Sequence, residues 1–298
     1  INKIFKLPEI IFKINRYFNN TKKKLIIIEG ASWIFYSFII IFFFKIFQSK
    51  VKIIYISHSI ESEIRKKYSN ILIYFLTKYL EKLVFKYSDL PTSVSLREKK
   101  KIKFLYNIDT ILLPNGISLN KEKMIKKEKS NYLIYTGSYF YKPNKDAIDY
   151  LNNYIMPVLI KKIPKLKLML TGGGFNKKFP WVINKGIVAK SDLYKYIYFS
   201  KCLCVPLKFG SGTRIKILEA LCLGAIVVSS KKGIEGIDVF STKPPFIIDK
   251  KIKLIKEIIN IIKNNNELKK RSNKSKKFYL ERYSMKKIVE KFINENQV

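Results

Sequence analysis

Short apolar runs along the chain alternate with longer stretches in which apolar residues return every three or four positions. That is the pattern of buried parallel strands joined by crossover helices. The runs at 24–29, 51–56, 90–94 and 108–113 predict four strands in the first part. Those at 132–136, 166–171, 203–207 and 225–228 predict four more in the second. Helices are predicted at 1–19, 32–48, 68–87, from the Tyr141–Ala147 segment to residue 161, and at 192–199. After the last run come amphipathic helices at 251–263 and 267–281 and a final helix beyond Tyr283-Ser284-Met285. With no internal repeat, this order predicts an α/β chain of two doubly wound, Rossmann-like domains facing a cleft.

The segment from Trp33 to Phe47, W-I-F-Y-S-F-I-I-I-F-F-F-K-I-F, is apolar nearly all round. It is short for a membrane span of about 20 residues and contains Lys45. Burial against a sheet is the expectation, with membrane-surface contact as the alternative.

The most informative stretch is Leu203 to Ser230, read as strand, glycine loop, helix and next strand. Gly210-Ser211-Gly212 forms the loop, Thr213 follows it, and Ile215, Leu218 and Cys222 mark a helical face that Gly224 ends. Arg214 and Lys216 fall in the first turn, where the helix dipole disfavours cations. A local rule broken in this way points to function. Small residues, open N–H groups and two flanking cations suit an anion such as a diphosphate. Glu219, three residues beyond Lys216, has a carboxylate able to accept hydrogen bonds from sugar hydroxyls. The competing account is a surface helix with Lys216 and Glu219 as a solvated pair.

At these residues the chain resembles the retaining glycosyltransferase family 4, of GT-B fold, in its branch with a G-x-G-T-R-x-K-x-L-E-A motif. The resemblance implies that Glu219 holds the donor ribose. It also implies that Gly212, Thr213, Arg214 and Lys216 face the diphosphate and sugar. Many relatives carry a second glutamate at the position of Ser211, so the donor sugar is not carried over. Further matches support the likeness. Tyr132 to Ser138 reads as a strand entering a glycine turn at Gly137, and with Pro143-Asn144-Lys145-Asp146-Ala147 it is similar to the branch's G-S-x-x-x-x-P-N-x-D-A. Ser138 stands where other relatives have an arginine that grips the diphosphate. Gly172-Gly173-Gly174 is a second strand-to-glycine junction. Asn184 to Val188 resembles a short G-x-V strand that meets the nucleotide base, and Lys232 to Ile237 resembles a G-x-E-G-[LI] loop.

His58, the only histidine, follows the strand at 51–56, at the sheet edge where ligands bind in parallel α/β folds. Its context, H-S-x-E-S-E, is similar to a family motif whose histidine lies near the donor sugar. In the same loop Ser59 is positioned to cap the next helix. Pro114-Asn115-Gly116-Ile117 resembles the hinge that closes the first domain. The expected division is 1–117 for an acceptor-side domain, 118–282 for a donor-binding domain and 283–298 for a helix returning to the first domain. Lys121 to Ser130 reads as the linker. The first domain is expected to be truncated or reduced, since no strand and glycine loop precede it.

The charge of +37 raises nucleic acid, anionic membranes and acidic ligands as partners. Only six of the 59 basic residues are arginine, which reads as a compositional bias toward lysine, and no nucleic-acid module is present, so no specific nucleic acid is expected. The basic run Arg97 to Lys103, with the apolar helix around Phe42, is the candidate contact with an anionic membrane. Cys202, Cys204 and Cys222 read as reduced core residues of a cytoplasmic protein, with a peripheral place on the inner face of the cell membrane. With no Asp-x-Asp or His/Asp cluster near the loop, metal independence is expected, with no cofactor.

These readings converge on transfer of a sugar from a nucleotide diphosphate sugar to a cell-envelope glycan or lipid-linked acceptor. His58, Arg214 and Lys216 are the candidate catalytic residues. The donor site comprises Gly137, Ser138, Gly173, Val188, Gly210, Ser211, Gly212, Thr213 and Glu219. Rival readings are a catalytically silent nucleotide-sugar-binding relative or scaffold, a nucleic-acid-binding protein, and a sugar-nucleotide epimerase of similar fold.

Overall fold

In a computed structural model, the chain divides into two compact units, Ile1–Pro114 and Asn115–Val298. The structure describes residues 6–18, 21, 24–30, 34–48, 50–119, 131–210, 212–237, 239 and 245–296. The linker expected at Lys121 to Ser130 lies outside the described residues, and so does Ser211.

The first unit holds a parallel sheet in the order β1 (Leu25–Glu29), β2 (Lys52–Ile56), β3 (Leu90–Ser93), β4 (Ile111–Leu112). Around it lie α1 (Leu7–Phe18), α2 (Ile34–Phe47), α3 (Glu61–Tyr68), α4 (Ile71–Tyr87) and α5 (Leu96–Tyr106). Ile26, Ile28, Ile53 and Tyr55 of the sheet pack with Ile34, Ile41, Phe44, Val84 and Phe85 of the helices. The continuous apolar character of α2 therefore serves the core on one side, while Phe42, Ile46 and Phe47 stay exposed. Its single lysine is explained by Asp89, whose carboxylate accepts from Lys45 Nζ at 2.7 Å and from the Ile53 amide at 2.7 Å. Among the described residues no helix is long and apolar enough to cross a membrane.

Two helix starts show what local sequence could and could not encode. The side chain of Asn70 accepts from Ile73 N and caps α4, so the single helix expected over 68–87 begins three residues later. Ser59 does not cap α3. The capping position is Ile60, with no capping side chain of its own, and the carboxylate of Glu81, from the middle of α4, accepts from Glu61 N (2.6 Å) and Ser62 N (3.2 Å). Tyr106 Oη donates to the same carboxylate at 2.5 Å. Burial pushes the Glu81 carboxyl up, against these hydrogen bonds. A residue twenty positions downstream thus supplies the cap that α3 lacks locally.

The second unit contains a six-stranded parallel sheet. In chain order its strands are β5 (Tyr132–Thr136), β6 (Lys167–Thr171), β7 (Val182–Asn184), β8 (Leu203–Val205), β9 (Val227–Ser229) and β10 (Phe246–Ile247). In space the order is β10-β9-β8-β5-β6-β7. From β5 the chain winds outward through β6 and β7, then crosses back to β8 and winds the other way. The reversal lies between β5 and β8. At such a switch point the loops leave the sheet in opposite directions and open a crevice at the strand C-termini.

The long helix expected after β5 is interrupted. It runs as α6 (Lys142–Tyr150), a π-helical turn at Leu151–Ile155 and α7 (Met156–Lys162). Pro157, which lacks the N–H for the regular ladder, sits at the start of α7. Next come α8 (Lys190–Phe199), α9 (Ile215–Leu223), α10 (Lys251–Lys263), α11 (Asn265–Tyr283) and α12 (Met285–Asn296). Strand β7 covers 182–184, so Val188 lies beyond it in an irregular segment and not on the strand expected to contain it. Ile117 donates to Tyr283 O (2.6 Å) and accepts from Met285 N (3.1 Å). A Cβ at Gly116 would come within 2.6 Å of Met285 Cα, so this junction requires glycine. All three cysteines are buried and free.

Candidate functional site

The site grows from the C-terminal ends of β5, β6 and β8. Each strand is fully buried at its end, so the chain must leave by a tight turn, and each turn contains glycine at positive φ: Gly137 (136°), Gly172 (113°) and Gly210 (124°). The first two pack backbone to backbone, since a Cβ on Gly172 would lie 2.5 Å from the carbonyl of Gly137. A Cβ on Gly137 would meet Asn144 Nδ2 at 2.6 Å and Lys216 Nζ at 2.8 Å. The side chains of α6 and α9 therefore converge on the bare backbone at the switch point.

Asn144 organises this convergence. Its Oδ1 accepts from Tyr135 Oη (2.8 Å) and Lys216 Nζ (3.0 Å), and its Nδ2 donates to Ser138 O (2.9 Å). The sequence reading quoted this residue within a motif but gave it no role. Its only signal in the sequence was a polar residue directly after Pro143. Lys216 is half-buried as a residue, yet its ammonium is enclosed and stands 4.2 Å from the centroid of the Tyr135 ring. Burial, and next the Arg214 cation, bring its pKa down to about 7. Burial also pushes the Tyr135 hydroxyl up, so it remains a donor.

Arg214 is the residue at the mouth of α9, in extended conformation, and no side chain caps the helix. Its Nη1 donates to Gly212 O, and its Nη2 lies 3.1 Å from where a Cβ would stand on Gly210. Thr213 Oγ1 is buried and without a hydrogen-bond partner among the described residues. An orphan hydroxyl beside an uncapped helix start and two cations describes a place prepared for a polar ligand.

Glu219 is buried, not solvated, and it does not pair with Lys216 as a surface account would require. One oxygen accepts from Tyr194 Oη at 3.2 Å. Burial raises its pKa, opposed by the Tyr194 hydrogen bond and the Lys190 cation. Tyr194, on α8, is a second residue that sequence reasoning missed. Gly173 is open: the nearest atoms to a Cβ there are Ile187 Cδ1 at 3.5 Å and Phe140 Cε2 at 4.0 Å, both from highly exposed side chains.

The structure thus brings Gly137, Ser138, Gly210, Gly212, Thr213, Arg214 and Lys216 to one switch point, with Glu219 one turn further along α9. His58 belongs to the first unit, after β2, with Nε2 3.8 Å from Glu29 Oε2 at the end of β1. Among the described residues no group of three His, Cys, Asp or Glu side chains could hold a metal ion.

The chain is similar to known proteins in both sequence and fold. Residues 130–264 match the family model of glycosyl transferases group 1. The matched segment opens just before β5 and closes at the end of α10, so it contains every part of the second-unit site. An uncharacterized glycosyltransferase of Methanocaldococcus jannaschii is 27% identical over 274 residues, covering 84% of this chain and 69% of that protein. Sucrose-phosphate synthase from Thermosynechococcus elongatus superposes with a TM-score of 0.73 at 14% identity, covering 98% of this chain and 77% of that one. Anabaena HepE in complex with UDP-glucose gives a TM-score of 0.67 at 13% identity, over 90% of this chain and 78% of that one. The fold is GT-B-like, with two parallel α/β sheets.

Proposed function

We propose that this chain is a glycosyltransferase that uses a nucleotide diphosphate sugar, acts with retention and without a metal, and delivers the sugar to a cell-envelope glycan or lipid-linked acceptor. The observation that carries the reading is the pairing of Lys216 with the glycine turn at Gly137 and of Arg214 with the glycine turn at Gly210, beside the orphan Thr213 hydroxyl and the uncapped start of α9. Breaking the glycosidic bond of the donor leaves negative charge on the diphosphate. Fixed cations and N–H groups held in a dry crevice stabilise that charge without reorganising at the moment of reaction. Lys216 is suited to the task because a diphosphate beside it restores the charge that burial and Arg214 disfavour.

In this reading Glu219, held by Tyr194, accepts the ribose hydroxyls, and Gly173 offers backbone to the base. His58 acts at the donor sugar. Metal independence follows from the cationic side chains taking the place of a divalent ion. The experiment is a screen of nucleotide sugars by thermal unfolding of the full chain. A ligand at 100 times its dissociation constant adds about 2.7 kcal/mol. No stabilisation by any nucleoside diphosphate or its sugar would overturn the reading.

A further inference from the structure

The exposed face of α4 is unlike the rest of the surface. Ile71, Leu72, Ile73, Phe75, Leu76 and Tyr79 are 41–76% exposed, while the side of the helix that enters the core is Thr77, Leu80, Glu81, Val84 and Phe85. Single exposed apolar residues are ordinary, but six large ones in the first three turns of one helix form a contiguous patch. The only acidic residue of α4 is Glu81, which is buried and occupied with the amides of α3. What α4 presents outward is therefore apolar, aromatic and basic. Lys78 and Lys82 continue the patch toward the C-terminus, and neither has a carboxylate partner among the described residues. Beside the helix start, Lys66 stands over the Tyr74 ring at 5.9 Å.

We infer that this face of α4 docks on an anionic lipid surface, with the apolar side chains entering the headgroup boundary and the lysines meeting lipid phosphates. The occupant follows from chemistry. A bilayer interface takes a helix with bulky aliphatic and aromatic residues at its centre and lysines around them, without a shaped groove. The charge complement is set by a face with no exposed carboxylate on a chain of formal charge +37. The other helices of the first unit expose fewer large apolar side chains among the described residues: three on α1, three on α2, and Leu96 and Phe104 on α5. On α5, Lys101 pairs with Glu63 and Lys103 with Asp109, which neutralises part of the basic run that sequence alone singled out. On α2, Lys45 is taken by Asp89, so the exposed Phe42, Ile46 and Phe47 have no cation from their own helix turn.

This inference stands apart from the catalytic reading and is tested without turnover. The full chain is floated with vesicles of phosphatidylcholine alone and of equimolar phosphatidylcholine and phosphatidylglycerol. The protein should rise with the anionic vesicles only, and less at high salt. Leu72→Glu with Phe75→Glu should abolish flotation, and Lys78→Gln with Lys82→Gln should weaken it roughly 30-fold. These side chains are outside the core, and circular dichroism confirms that the variants fold. A second measurement does not depend on charge substitutions. Cys202, Cys204 and Cys222 are buried, so Phe75→Cys can be labelled selectively with a polarity-sensitive fluorophore, whose emission should shift to the blue on adding anionic vesicles. Failure of the unsubstituted chain to float, flotation undiminished by the Leu72 and Phe75 substitutions, or no shift at position 75 would each overturn the inference. So would a dimer that the same substitutions dissociate, which would make the face a contact between copies.

Discussion

Lys216 Nζ stands 4.2 Å from the centroid of the Tyr135 ring and 3.0 Å from Asn144 Oδ1, so a helix of the second half of the unit is locked onto its first strand by one ammonium group. The ring face favours the cation. Burial and Arg214 oppose it, and the pKa stands at about 7. A group poised there can answer a ligand by changing its protonation.

The first prediction follows from that poise. A diphosphate bound beside Lys216 raises its pKa, so binding takes up a proton above pH 7 and affinity falls as pH rises from about 7 toward the pKa of the bound state. Below pH 7 the group is already charged and the dependence flattens. Calorimetry with a nucleoside diphosphate that stabilises the chain, in buffers of different ionisation enthalpy, should show the uptake, and Lys216→Met should remove it. Proton release, or the same uptake in the variant, would contradict the assignment.

Asn144 joins Tyr135, Ser138 and Lys216, and the fully buried Tyr135 hydroxyl has no easy replacement partner. Asn144→Ala should cost about 1–3 kcal/mol of stability, the penalty for orphaned buried groups, and loosen Lys216. Chemical denaturation measures the first effect. The second appears as loss of the proton uptake on nucleoside diphosphate binding.

In the proposed reading Arg214 and Glu219 serve the two ends of the donor. Arg214→Ala removes charge-assisted hydrogen bonds to phosphate and should weaken nucleoside diphosphate binding roughly 10- to 150-fold, with little effect on the nucleoside. Glu219→Gln should weaken nucleoside and diphosphate binding by similar factors. If both variants fold and neither affinity moves by even twofold, the donor is bound elsewhere.

For His58 the expected pattern is a split. If the donor is held by the second unit as proposed, His58→Ala should lower turnover strongly while nucleoside diphosphate binding stays nearly intact. Normal turnover would make His58 a structural residue beside Glu29.

The linear sequence determined the existence of most strands and helices here, because a short continuous apolar run marks a buried parallel strand and a 3.6-residue apolar period marks a helix with one face in the core. It also determined the strand-to-glycine turns at Gly137, Gly172 and Gly210, because only glycine tolerates those backbone angles where chains touch. Ser138, Thr213, Arg214 and Lys216 were legible as neighbours of such turns. What periodicity does not encode is the identity of the partner across space. That α3 is capped by Glu81 and not by Ser59, that Asn144 holds Lys216, that Tyr194 holds a buried Glu219, and that α4 keeps its apolar start in the open were decided only when distant segments packed. The physical reason is the cost of desolvation. A buried polar group must find a partner wherever the fold supplies one, and an apolar face stays exposed wherever the fold supplies no neighbour.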